Sequence, residues 1–163
     1  MKNLKSIILK ETKKYGIKII KWNIDSEGCS YKPKKIEIPC PINEDTLGVC
    51  FHEIGHIVLK HFDNQKKKRY IEEYESEQFA IQKLKQYGFD YKTYELRAIN
   101  YVLFKIAWAK NKGHKMSEVP REIIRWTRLT PSKWDKAYRV KISLNENYWT
   151  SKSDLLKKVE FYY

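Results

Sequence analysis

At 163 residues and 19.7 kDa the chain has room for one compact domain with a short appendage, and its 42% hydrophobic and 14% aromatic content supplies a core, which excludes a disordered type. The net charge of +13 is uneven: residues 1–80 carry +3 and residues 81–163 carry +10. Such an excess is either a solvated Lys-rich surface or a face for nucleic acid, an anionic membrane or an acidic protein. Cys29, Cys40 and Cys50 have no CxxC spacing and predict neither a disulfide framework nor a cysteine zinc site.

Residues 3–15 read as an amphipathic helix closed by Gly16. Residues 17–24 are β-branched and partly alternating, and predict a strand; Asp25 to Ser30 are turn residues. A second strand is expected over 34–38, stopped by Pro39 and Pro41. Near the start the longest apolar run is Ile7-Ile8-Leu9, shorter than a secretory core, and no stretch approaches the roughly 20 apolar residues of a membrane span. A cytoplasmic protein without membrane contact is expected.

The next segment predicts a helix from Asn43, a good N-cap, to about His61. Glu44 and Asp45 suit its first turn, and Leu47, Cys50, Phe51, Ile54, Val58 and Leu59 recur at helical spacing. Lys66 to Arg69 form a basic loop, followed by a helix over 70–87 closed by Gly88. A longer helix is expected over 91–111, with Tyr94, Ala98, Tyr101, Val102, Lys105, Ile106 and Ala109 along one stripe and Gly113 beyond its end. Ser117 is a cap for a helix through Arg128 with Pro120 in its first turn; further helix starts fall at Thr130-Pro131 and Ser151.

Within the 43–61 helix stands His52-Glu53-Ile54-Gly55-His56, an HExxH pattern. Residues i and i+4 share a helical face, so both imidazoles can reach one ion, and zinc suits neutral imidazole in a near-tetrahedral site. Glu53 lies beside the ion, where it can take a proton from metal-bound water. The alternative is two surface histidines flanking a carboxylate. A third protein ligand is needed. No histidine stands at the HExxHxxGxxH spacing, which leaves the carboxylates of the following helix: Glu72, Glu73 and Glu75 are the candidates, and Glu73 and Glu77 share a face. Without the histidine helix this acidic cluster would read as a solvated face balancing the preceding lysines.

These residues resemble the ImmA/IrrE family of small bacterial and phage metallopeptidases, in which an HELGH-type helix precedes a helix reading E-x-E-A-N/D-x-F-A. Here HEIGH occupies 52–56, and Glu73-Tyr74-Glu75-Ser76-Glu77-Gln78-Phe79-Ala80 follows. The resemblance covers roughly 1–110 and is specific over 43–80. It implies Glu73 as the third metal ligand, with Glu75 on the second Glu of the motif as an alternative, and Glu77 where Asn or Asp is usual, a position that orients a neighbouring histidine. The family often has a histidine four residues after the second motif histidine; here that place is Lys60, and His61 reads as a helix-end histidine. The resemblance further implies a zincin-like enzyme with one Zn²⁺ per chain, often encoded on mobile elements. Its family role is gene regulation by cleavage of a DNA-binding repressor, so the partner expected is a protein substrate of the helix-turn-helix repressor type.

The expected fold is α+β: a small antiparallel sheet packed on a mostly helical domain holding the HExxH helix and the Glu-bearing helix after it. Residues 1–112 form this metallopeptidase domain, and 113–163 a basic, aromatic-rich helical extension. Trp126, Trp134 and Trp149 in the extension are core for a helical cap, stacking groups for single-stranded nucleic acid, or a docking surface for a protein. His114, in an apparent loop, is a candidate transition-state donor. The expected reaction is peptide hydrolysis, Glu53 assisting attack by metal-bound water. The alternative is a basic nucleic-acid- or protein-binding regulator with a non-proteolytic metal site.

Overall fold

The computed structural model describes residues 3–63 and 67–134. In chain order it has α1 (Leu4–Tyr15), β1 (Lys18–Asn23), β2 (Cys29–Tyr31), β3 (Lys35–Pro39), α2 (Glu44–Val58), α3 (Arg69–Gln86), α4 (Lys92–Asn111) and α5 (Arg121–Thr127), with 3-10 turns at His61–Asp63 and Met116–Glu118. The class is α+β, as expected: a small three-stranded sheet packs on a helical framework. Asn3 caps α1 by accepting from the Ser6 amide at 3.2 Å, and Gly16 ends the helix in the left-handed region at φ 65°.

The sheet is mixed, which corrects the antiparallel expectation. Its order is β1-β3-β2, with β3 parallel to β1 and antiparallel to β2. The cause is β2, which lies partly in the stretch read as a turn. Two strands joined by one reversal would run antiparallel; a third strand adds a second reversal and brings β3 back parallel to β1. β3 takes the centre because Ile36 and Ile38, on one face at period two, are both fully buried. Helix α2 packs on β3, β2 and α1.

The chain divides into two compact units. The first is the chain up to Lys67 together with Glu75–Glu95, and carries α1, the sheet, α2 and most of α3. The second, among the described residues, is Lys68–Tyr74 with residues 96–134. Its core is Tyr70, Val102, Ile106, Val119, Ile123 and Leu129, with Trp126 and Trp134 packed against it. The division differs from the 112/113 boundary read from sequence because the apolar stripe of α4 shares a core with residues beyond Gly113. The 117–128 helix is split by Pro120: Val119 before it is extended (ψ 125°), as the proline ring demands, so a 3-10 turn precedes α5. Residues 131–134 are helical, with the Thr130 hydroxyl accepting from the Lys133 amide at 3.2 Å. Trp149 and the helix expected over 151–160 lie outside the described residues.

Candidate metal centre

Helix α2 starts at a double cap. The Asn43 side chain accepts from the Thr46 amide at 2.9 Å, and the Thr46 hydroxyl accepts from the Asn43 amide at 3.2 Å. Glu44 and Asp45 fill the first turn, where the dipole favours them. From Leu47 to Ile57 every residue is buried. Two of these are glycines for reasons of space. A Cβ on Gly55 would stand 3.3 Å from the Ser76 Cα and 3.2 Å from the Phe79 ring. The small pair Gly55 and Ser76 therefore lets α2 and α3 approach closely. A Cβ on Gly48 would stand 2.3 Å from the ring of Tyr94.

His52, Glu53 and His56 are all nearly inaccessible (2%, 6% and 2% exposed). His52 Nε2 and His56 Nε2 lie 3.0 Å apart. A tetrahedral zinc with Zn–N of about 2.0–2.1 Å sets its nitrogens about 3.3 Å apart. His52, His56 and Glu73 form a buried group whose ligand atoms all lie within 4.8 Å of one another, near enough to hold a metal ion. Glu73 Oε1 also faces Arg69 Nε at 2.7 Å and Lys105 Nζ at 3.7 Å.

The Nδ1 atoms of both histidines are engaged away from the ion position. His52 Nδ1 is 3.1 Å from Glu77 Oε1, while the Tyr94 hydroxyl donates to Glu77 Oε2 at 2.6 Å. Burial, then the Glu77 charge, pushes the Tyr94 phenol well above its usual range, so it stays a donor. His56 Nδ1 is 2.8 Å from His61 Nδ1, and His61 Nε2 is 2.9 Å from Glu75 Oε2. Burial, reinforced by the adjacent His56, lowers the His61 pKa to about 4, so the ring is neutral near neutral pH. With Nδ1 carrying the proton in both histidines, both Nε2 lone pairs turn to one point, and a cation answers that convergence. The donor set therefore fits a metal of the imidazole-and-carboxylate class.

No protein-family model, curated protein or solved structure matches the chain.

Of the third-ligand candidates, Glu73 joins the histidines. Glu72 pairs with Arg69 at 3.2 Å, and Glu75 serves His61 and also accepts from Lys67. Glu77 stands against His52 Nδ1, the place of an orienting group. His114 Nδ1 lies 3.2 Å from Glu118 and its ring meets the Tyr70 ring edge-on, both within the second unit. Sequence reasoning passed over three participants. His61 returns beneath His56 because Lys60 adopts φ 56°, a left-handed conformation uncommon outside glycine and one that spacing does not reveal. Tyr94 looked like one more stripe residue. Gly28 makes room for Glu53: a Cβ there would stand 2.6 Å from Glu53 Cγ and 3.0 Å from its Oε1. Nothing in its neighbours' identity signals that contact. Among the described residues no helix is long and apolar enough to cross a membrane.

Proposed function

We propose that this chain is a zinc-dependent endopeptidase of the ImmA/IrrE type, acting on a protein substrate of the repressor class. The observation that carries the proposal is a buried group of two convergent histidine nitrogens and one carboxylate, with a second carboxylate, Glu53, on the same helix between the histidines. Two histidines and a glutamate are a donor set of catalytic rather than structural zinc, since structural sites close with four protein ligands.

His52 and His56 through Nε2, with Glu73, would hold the ion. Zinc bound there supplies Lewis acidity to a peptide carbonyl and lowers the pKa of water toward neutrality. Glu53 takes the proton of the attacking water on a carboxylate oxygen and hands it to the departing amine. Gly28, against which Glu53 rests, leads directly into β2, an edge strand of the sheet. An edge strand offers backbone donors and acceptors to an extended peptide, which would lay the scissile bond beside the base.

The test is elemental analysis of the purified protein together with Glu53→Gln. About one zinc per chain in both proteins, with cleavage of a quenched peptide library or a repressor by the parent alone, supports the proposal. A protein without zinc that takes none up, or a Gln variant that cuts as well as its parent, overturns it. Zinc without cleavage by either points to the non-proteolytic regulator.

A further inference from the structure

The His61–Glu75–Lys67 side chains form a line that starts at a metal-ligand nitrogen and ends at the protein surface. His56 Nδ1 lies 2.8 Å from His61 Nδ1, His61 Nε2 lies 2.9 Å from Glu75 Oε2, and Lys67 Nζ contacts that same oxygen. The exposures run from 2% at His56 and 4% at His61 to 33% for the Glu75 side chain. The Ser76 hydroxyl also faces His61 Nδ1, at the longer distance of 3.4 Å.

From this geometry we infer that His61, held by Glu75 and Lys67, is a positioning residue that fixes the tautomer and ring angle of His56. The inference rests on His52, His56 and Glu73 being metal ligands, and not on proteolysis. Two nitrogens at 2.8 Å share one proton. A His56 that offers Nε2 to a metal carries its proton on Nδ1, so it donates to His61. His61 Nδ1 must then be the acceptor, which puts the His61 proton on Nε2, aimed at Glu75. The carboxylate can only accept, and Lys67 holds it in place. The whole line therefore has one consistent polarity, set from its outer end by a group that cannot donate. A metal-ligating histidine usually gives its second N–H straight to a carboxylate or carbonyl, and losing such a partner weakens metal binding by about 10–100-fold. Here His52 Nδ1 faces the Glu77 carboxylate itself at 3.1 Å, whereas His56 reaches its carboxylate through a second imidazole.

The intermediate imidazole follows from the chain path. His61 sits five residues past His56, beyond the last turn of α2, and the left-handed Lys60 folds it back. Glu75 lies on α3 one residue from Ser76, whose Cα packs against Gly55 of α2, and it meets His61 rather than His56.

The experiment uses the full chain and zinc alone. Long-range ¹H–¹⁵N correlation of the zinc-loaded protein should give His56 as the Nδ1–H form bound through Nε2, and His61 as the Nε2–H form. Zinc affinity, measured by competition with a chromophoric chelator, should fall about 10–100-fold in His61→Phe. His61→Asn should recover most of the loss, because its Oδ1 can occupy the place of Nδ1 as an acceptor. Glu75→Ala, at the outer end, should shift His61 towards a mixture of tautomers while the protein stays folded. A parent that binds zinc with His61 protonated on Nδ1, or a Phe variant of parental affinity, or an Asn variant no better than Phe, overturns the assignment and leaves the metal centre standing. A parent that takes up no zinc overturns both.

Discussion

Gly28→Ala tests whether the close approach to Glu53 sets the position of the base. The added Cβ would stand 2.6 Å from Glu53 Cγ, 3.1 Å from Cδ and 3.0 Å from Oε1. Carbon atoms rest about 3.5–4.0 Å apart, so the glutamate must retreat by about 1 Å. Glu53 is 6% exposed, with buried neighbours on both sides along α2, and cannot swing freely into solvent. A misplacement of about 1 Å at a reacting group costs about 10²-fold in rate, or about 2.7 kcal/mol of barrier. Gly28 is not among the positive-φ glycines, so alanine adds no backbone strain there and the contact is isolated. The assay is kcat/KM on a peptide that the parent cleaves, with zinc content and Tm measured on the same preparation. The expected result is a loss of about 10²-fold at unchanged zinc content. Parental kcat/KM in Gly28→Ala would refute the idea that this contact positions the proposed base.

Other outcomes follow from contacts of the same kind. Glu77→Ala removes the partner of both His52 Nδ1 and the Tyr94 hydroxyl, and should weaken zinc binding by about 10–100-fold in a chelator competition. Gly48→Ala should cost about 1–3 kcal/mol in urea denaturation, because the Tyr94 ring, 2.3 Å from the new Cβ and 4% exposed, has nowhere to go. Lys83→Met leaves Glu11, 3% exposed and otherwise 2.8 Å from Lys83 Nζ, with only the Tyr87 hydroxyl at 2.6 Å, and should cost up to about 3–5 kcal/mol. Its pH dependence has a definite sign. Burial pushes the Glu11 carboxyl up, but Lys83 and Tyr87 outweigh it and hold the pKa below its ordinary value. The parent therefore keeps this stabilisation above the unfolded carboxyl pKa of about 4.3 and loses it as pH falls through the lower folded value. In Lys83→Met burial is less opposed and the Glu11 carboxyl rises, so this group's loss on acidification shrinks and the variant's deficit against the parent should narrow as pH falls.

Helix ends and the placing of His52 and His56 on one face were legible because each depends on one residue type at one place. Gly16, Gly88 and Gly113 stand at φ 65°, 70° and 90°, conformations that glycine adopts without cost, and each follows a helix predicted to within one or two residues. The histidine pair needs only the 3.6-residue period of α2. Strand β2 was not legible: Cys29-Ser30-Tyr31 is held by pairing with β3, not by any alternation of its own, and its loss from the prediction reversed the expected direction of the sheet. His61 and Gly28 were hidden for a related reason. Each acts through a contact that exists only once the chain has turned, at Lys60 in one case and before β2 in the other.

The unbroken burial of Leu47 to Ile57 has a thermodynamic consequence. A helix segment buried at every position takes its shape from apolar neighbours such as Phe51 and Ile54, so the histidine rotamers between them are ordered when the chain folds. In a zinc finger the ion organises its own ligands, and binding energy is spent on that ordering. Here the ordering entropy is charged to folding, and ion affinity is left to depend on charge and hydrogen bonding around the imidazoles. Stripping the ion should then lower the melting temperature through mass action alone, by an amount that varies with free metal concentration, and should leave a cooperative folded protein rather than a coil.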